Sequence, residues 1–352
     1  MKAALISKLE DGNCTKNITV VDDVQKPTRK PKELLIKVLA VATSVGDCHI
    51  KSGRCSFVLN PKMPYIPGQD FCGLVEECDE KSAFKVGDIV LANQEDVDKG
   101  AIAEYAVAPE THCIQKPLSM TPETCAASLW GVTAQMAVDK ARIKAGKTRV
   151  LVLGGAGAVG YMTIQFLKAR GSAYIATTST QNEMLLKLGA DKVIDYTKED
   201  WWTIREFKNE PFDIIIDTVG GGNHFRKASE SGVLKKCMNG GNFIAVTGDD
   251  PKPVIKSVWS ILKLLFIILG RPIWTLMIFW SVPKYTAFVC LPDAKMLRCL
   301  VREIEEHNLK TILDPRCAPY FEFTTEGVQK AFQLQESGHA HGKVVIQVAK
   351  LK

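Results

Sequence analysis

No C-x-x-C pair occurs among the 11 cysteines of this 352-residue chain, and no four of them cluster as a structural zinc lobe requires. They sit singly, which points to free thiols in a reducing compartment rather than to a disulfide framework. Basic runs are missing too. The 45 Lys and Arg exceed the 39 Asp and Glu by only six and are scattered, so a nucleic-acid surface is not expected. Neither G-x-S-x-G nor a nucleophilic cysteine context is present, which leaves hydrolase chemistry without support. The opening MKAALI is strand-like, without an apolar leader core or an Arg/Ser-rich leader. The cytosol is the expected compartment, with an organelle or the membrane periphery as the alternative.

What is present is ordinary globular material, 46% apolar and 24% charged, with length enough for two domains. Up to about Met120 the chain reads as short β runs broken by Gly and Pro: Glu33 to Ala42, Phe71 to Glu76, Asp88 to Ala92 and Ile102 to Ala108. That spacing predicts a Greek-key or barrel-like unit. Thr121-Pro122-Glu123-Thr124 then carries an N-cap, a first-turn proline and a first-turn acid, and opens a helix. Strands and helices alternate afterwards. Val150 to Leu153 and Ile214 to Ile216 are wholly apolar, as strands covered on both faces are, so the middle of the chain is a doubly wound parallel sheet. The expected division is 1–121, 122–283 for the dinucleotide-binding unit, and a return segment 284–352 that completes both.

One stretch stands apart. Val258 to Val282 has only Lys263 and Arg271 as charges in its 25 residues. A span needs about 20 nearly uncharged residues. Here Gly270-Arg271-Pro272 interrupts the middle, where an Arg costs roughly 2.5 to 3.5 kcal/mol and Pro breaks the helix. Two short apolar helices are expected, covering a subunit interface or the active-site cleft and making the protein a homo-oligomer. The alternatives are a peripheral membrane contact and a membrane span.

Gly154-Gly155-Ala156-Gly157-Ala158-Val159-Gly160 follows the strand Val150 to Leu153 and opens a helix. Read from Gly155 it is G-x-G-x-x-G in the setting a dinucleotide needs: a tight turn, close backbone approach and a helix N-terminus for the pyrophosphate. At the end of the next strand an NAD site expects an acid for the ribose hydroxyl. Thr177-Thr178-Ser179-Thr180 stands there instead, free of a carboxylate that would repel a 2′-phosphate, so NADPH is the expected cofactor. The alternative is that these hydroxyls cap the following helix. Cys48-His49 lacks further ligands at plausible positions, and no metal is expected.

Eight stretches in order carry a resemblance. They are Pro64 to Gly73, Phe84 to Asp88, Gly100 to Tyr105, Gly131 to Ala134, the glycine turn, Leu188 to Tyr196, Phe212 to Asp217 and Gly338 to Ile346. The chain resembles the zinc-independent quinone oxidoreductase group of the medium-chain dehydrogenase/reductase superfamily. Its ending and apolar-basic insert are similar to the reticulon-interacting mitochondrial oxidoreductase type. Zinc-dependent relatives carry Gly-His-Glu where this chain has Gly68-Gln69-Asp70, and a Cys ligand near Ala126-Ala127-Ser128.

The resemblance implies a GroES-like β-barrel domain plus a Rossmann domain, with a cleft between them. It implies that Ala156, Gly157, Ala158, Val159 and Gly160 hold the pyrophosphate, Thr178 and Ser179 the 2′-phosphate, and Tyr196 the adenosine end. Thr133, Thr247, Phe288 and the His339-Ala340-His341 turn would line the nicotinamide side. Tyr196 as a packing residue, and His339 and His341 as surface residues, are the alternatives.

The reading is a metal-free NADPH-dependent reductase of a quinone or α,β-unsaturated carbonyl. The alternatives are an NADPH-binding scaffold without turnover and a 2-enoyl-thioester reductase. Catalysis would rest on positioning and on hydrogen bonds to the developing oxyanion. Tyr65 is the candidate proton donor, with packing as its alternative role. Asp47 is the candidate for orienting the neighbouring loop, with a structural role as its alternative, and Thr133 is a further catalytic candidate.

Overall fold

A computed structural model describes residues 1–12, 15–94, 96–247, 250–290, 292–317 and 320–351. The chain divides into two compact units, Met1–Leu129 with Val254–Lys256 and Pro292–Lys352, and Trp130–Pro253 with Ser257–Leu291.

The first unit opens with β1 (Ala3–Ile6), β2 (Ile18–Val21), β3 (Glu33–Ala42), α1 (Val45–Lys51), β4 (Asp70–Glu77), β5 (Ile89–Asn93), β6 (Tyr105–Pro109), β7 (Cys113–Gln115) and α2 (Pro122–Ser128). Strand β3 is buried along nearly all its length because β4, β6 and, later in the chain, Val345–Gln347 all pair with it. Its Ile36, Val38 and Val41 join Phe71, Val75 and Val90 in the core. Helix α2 starts where the sequence signals it: Thr121 accepts from the Thr124 amide and Pro122 sits in the first turn. It packs on β3 and β4. The unit boundary therefore falls after Leu129 and not after residue 121, because the small buried face of α2 (Cys125, Ala126, Ala127) belongs to the β core.

The second unit holds α3 (Gly131–Ala141), β8 (Arg149–Leu153), α4 (Ala158–Ala169), β9 (Tyr174–Thr178), α5 (Asn182–Lys187), β10 (Lys192–Ile194), α6 (Arg205–Asn209), β11 (Ile214–Asp217), α7 (His224–Ser231) and β12 (Asn242–Ala245). After α8 (Val258–Leu265) and α9 (Arg271–Met277) comes β13 (Lys284–Ala287). The sheet is parallel throughout, in the order β10-β9-β8-β11-β12-β13. Phe207, Phe212, Phe243 and Tyr285 pack with Leu151 and Ile215 beneath it. Helix α7 stops at Ser231, since Gly232 turns left-handed at φ 79° and ends it. Strand β13 closes at Ala287.

The chain then returns to the first unit as α10 (Ala294–Glu306), β14 (Phe321–Glu322), α11 (Thr325–Glu336) and β15 (Val345–Gln347). Strand β13 joins the sheet of the second unit, and the chain from Pro292 onward belongs to the first.

The apolar segment departs most from expectation. Two short helices separated by a proline break do not form; helix runs from Val258 to Met277, with a π turn over Phe266–Gly270 joining α8 to α9. A proline ring clashes with the carbonyl four residues back, and the wider π turn relieves that clash just before Pro272. Nor does the segment bury itself against its own chain. Thr275 is the one buried residue among α8, the π turn and α9. By length and composition Val258–Met277 is long and apolar enough to cross a membrane.

Candidate functional site

In a doubly wound sheet the ligand crevice opens at the C-terminal edge, where successive strands diverge to either side. Here β8 is flanked by β9 and β11, so that point lies at the glycine turn after β8. Gly154 adopts φ 84°, and a Cβ there would fall on Val219 and Thr218. A Cβ on Gly155 would collide with the Thr177 hydroxyl, and one on Gly160 with the Gly154 backbone. Gly157 differs. A Cβ on it would meet nothing nearer than the Gly154 carbonyl at 3.5 Å, and its φ of −69° suits any residue. Three of the glycines are demanded by the fold, and the fourth keeps an open ledge. Helix α4 has no side-chain cap at this end. Its first-turn amides, from Ala158 through Gly160, therefore lack a capping acceptor, which suits an anionic group. The residues fit a dinucleotide diphosphate.

The neighbouring strand ends supply the rest of this edge. The Thr178 hydroxyl accepts from the Gly154 amide at 3.0 Å, and the Ser179 hydroxyl accepts from the Gln181 amide at 2.9 Å. Both residues are buried, and their oxygens serve the glycine turn and the loop rather than capping α5, whose start has no side-chain cap, while each retains its proton to donate. Tyr196, half exposed, follows β10. Thr247 is exposed after β12, and Phe288 follows β13 with the Lys140 ammonium 5.4 Å from its ring. Thr133 is buried on α3, which packs against β12.

The loop after β11 was missed as a site element in the sequence. Buried Asp217 accepts from the Val219 and Gly220 amides at 3.0 and 2.9 Å and sits 2.9 Å from His224 Nδ1. Thr218 donates to the Leu153 carbonyl at 2.7 Å, which fastens this loop to the glycine turn. The signal was the run Gly220-Gly221-Gly222, all three left-handed.

The first unit gathers a separate polar group. Asp47, in the first turn of α1, accepts from the Ser44 amide (2.8 Å), the Ser44 hydroxyl (2.7 Å) and the Gly68 amide (3.0 Å). Complete burial pushes its carboxyl up to about 6, against the opposing pull of the Ser44 hydroxyl. Asp70 accepts from Asn93 at 2.9 Å and pairs with Lys343 at 3.8 Å. Lys343 in turn donates to the Thr43 carbonyl at 2.7 Å, and burial lowers its ammonium to about 8. The Asp70–Lys343 pair was overlooked, although both residues lie inside quoted motifs; charges set within apolar strand sequence were the available cue.

Tyr65 is 3% exposed, and its hydroxyl has no hydrogen-bond partner among the described residues. Burial foremost, with Asp47 and Cys48 nearby, pushes the phenol well above its ordinary value and keeps it protonated. His341 donates its amide to Asp314 at 2.7 Å, Arg316 closes the same carboxylate at 2.7 Å, and exposed His339 gives its carbonyl to Arg316. This clamp sets the His339-Ala340-His341 turn. Burial lowers the His341 imidazole. Among the described residues, no group of three or more His, Cys, Asp or Glu could hold a metal ion.

The alcohol dehydrogenase GroES-like domain family matches residues 30–118, and the family described as zinc-binding dehydrogenase matches residues 188–346. The chain is 30% identical over 347 residues to the mitochondrial NAD(P)H oxidoreductase RTN4IP1 of Bos taurus, covering 90% of this chain and 82% of that protein. It is 29% identical over 331 residues to the chloroplastic NADPH-dependent alkenal/one oxidoreductase of Arabidopsis thaliana, covering 91% and 73%. The solved quinone oxidoreductase of Coxiella burnetii superposes with TM-score 0.77 at 25% identity, over 99% of both chains.

The chain belongs to the medium-chain dehydrogenase/reductase family, quinone oxidoreductase type. In this zinc-independent oxidoreductase the residue that stands for the histidine ligand is Gln69, and the acid beside it, Asp70, is tied to Asn93 and Lys343.

Proposed function

We propose that this oxidoreductase is an NADPH-dependent reductase that delivers a hydride to a quinone or to the β-carbon of an α,β-unsaturated carbonyl. The observation that carries the reading is the open ledge at Gly157 on an uncapped helix N-terminus, beside a strand end that bears hydroxyls and no acid. Ala156 to Gly160 present backbone amides to the diphosphate, and Thr178, Ser179 and Tyr196 receive the 2′-phosphate and adenosine end. Bound NADPH supplies the hydride. Thr133, Thr247, Phe288 and the His339-Ala340-His341 turn are the proposed nicotinamide-side wall.

Tyr65 holds a proton on a buried hydroxyl that has no hydrogen-bond partner among the described residues, the form in which a phenol donates to an oxygen gaining negative charge. Asp47, which accepts from the Ser44 and Gly68 amides, is the proposed positioning residue for the neighbouring loop. Organellar placement replaces the cytosol as the proposed location, since the two named relatives are mitochondrial and chloroplastic.

The test is NADPH oxidation against a benzoquinone, a naphthoquinone, an enone and a 2-enoyl-CoA. Turnover with the quinones or the enone supports the reading. Cofactor binding without turnover on any of them would leave an NADPH-binding scaffold.

A further inference from the structure

From Pro251 to Pro292 the chain carries five basic residues, Lys252, Lys256, Lys263, Arg271 and Lys284, and no acidic one. Within it Trp259, Leu262, Phe266, Leu269, Ile273 and Met277 recur three or four residues apart. They therefore share one face of the helix. All six are between 49% and 80% exposed. On the opposite side Thr275 is fully buried, accepting from the Tyr285 amide at 3.0 Å, and Arg271 lies 5.0 Å over the Tyr285 ring. Lys252, Lys256 and Lys263 remain exposed to solvent.

We infer that this helix lies in the plane of an anionic lipid bilayer, its apolar stripe in the acyl boundary, with its Lys263 and the preceding Lys252 and Lys256 among the headgroups. Exposed tryptophan with lysine beside an apolar stripe is the composition of interfacial helices. Two features decide between rival occupants. The helix connects β12 to β13, adjacent hydrogen-bonded strands that pair Asn242 with Lys284, so a span would set neighbouring strands of one sheet on opposite sides of a membrane. A second copy would bring one acid-free, lysine-bearing helix against another, because a two-fold interface pairs like with like. An anionic surface complements both the charge and the stripe. None of this depends on the reductase reading.

The experiment is flotation of the full chain with phosphatidylcholine vesicles, with and without roughly a third phosphatidylserine. The protein is expected to float with the anionic vesicles. Partitioning should fall by about tenfold or more on neutral ones or when Lys256→Gln and Lys263→Gln are combined. The pair Leu262→Glu and Leu269→Glu should stay at the bottom of the gradient with unchanged circular dichroism, melting temperature and NADPH binding, since both side chains already face solvent. Wild type remaining at the bottom with both vesicles would overturn the proposal, as would equal flotation of the glutamate pair. A dimer in sedimentation that the glutamate pair dissolves and lipid leaves intact would assign the stripe to a second copy instead.

Discussion

At the scale of single residues the glycine turn separates two kinds of requirement that one motif conceals. Gly160→Ala sets a methyl on the Gly154 backbone. It should destabilise the protein by about 1–3 kcal/mol or more, read as a lowered urea midpoint. Gly157→Val meets no such obstacle, so it should melt like wild type while NADPH binding, followed by fluorescence titration, is lost. Wild-type affinity in that variant would move the diphosphate elsewhere.

Asp47 gives a second residue-scale prediction. Its carboxyl stands at about 6 in the folded chain against 3.8 ordinarily, so the native state holds the proton more tightly than the unfolded one. Stability from this group is then greatest below pH 4, declines as pH rises from about 4 to about 6, and is level above. Asp47→Asn removes that decline. The melting temperature of Asp47→Asn relative to wild type should rise across the same window, and a difference independent of pH would discard the assignment.

Among elements, legibility followed locality. Strands β8 and β11 and the helix start at Thr121 were readable because apolar runs, a capping threonine and a first-turn proline act within a few residues. The positions of Thr178 and Ser179 at the sheet edge were readable as well, but the bonds that occupy their oxygens come from Gly154 and Gln181 and are tertiary or turn contacts no pattern displays. The helix at Pro272 was misread because a proline signals a break by default, and the π turn that accommodates it has no sequence mark.

Equally invisible is the tie between α1 and α11. Lys51, wholly buried, donates to the Glu10 and Gly12 carbonyls and pairs with Glu336 at 3.0 Å. Burial raises the Glu336 carboxyl even so. Lys51→Met leaves that acid buried without its cation, and should cost about 3–5 kcal/mol in denaturant unfolding. Adding Glu336→Leu should recover most of the loss, and a purely additive double variant would deny the coupling.

For the whole molecule, the two units carry different chemical endowments, and each sets a measurable property. The nucleotide edge, with hydroxyls and no acid at the end of β9, should bind NADPH at least about tenfold tighter than NADH, because charge-assisted hydrogen bonds are worth about 1.5–3 kcal/mol each. The first unit sets the second property. A zinc site there would have to be built around Gln69 and Asp70, the positions where zinc-dependent relatives carry histidine and glutamate. Gln69 supplies an amide in place of an imidazole, and Asp70 is already engaged by Asn93 and the Lys343 ammonium, a cation that opposes a second one. Dialysis against a strong chelator should therefore leave NADPH oxidation and the melting temperature unchanged. Elemental analysis that finds about one zinc per chain, lost together with activity on chelation, would show that Lys343 gives way to a metal and would reverse the argument.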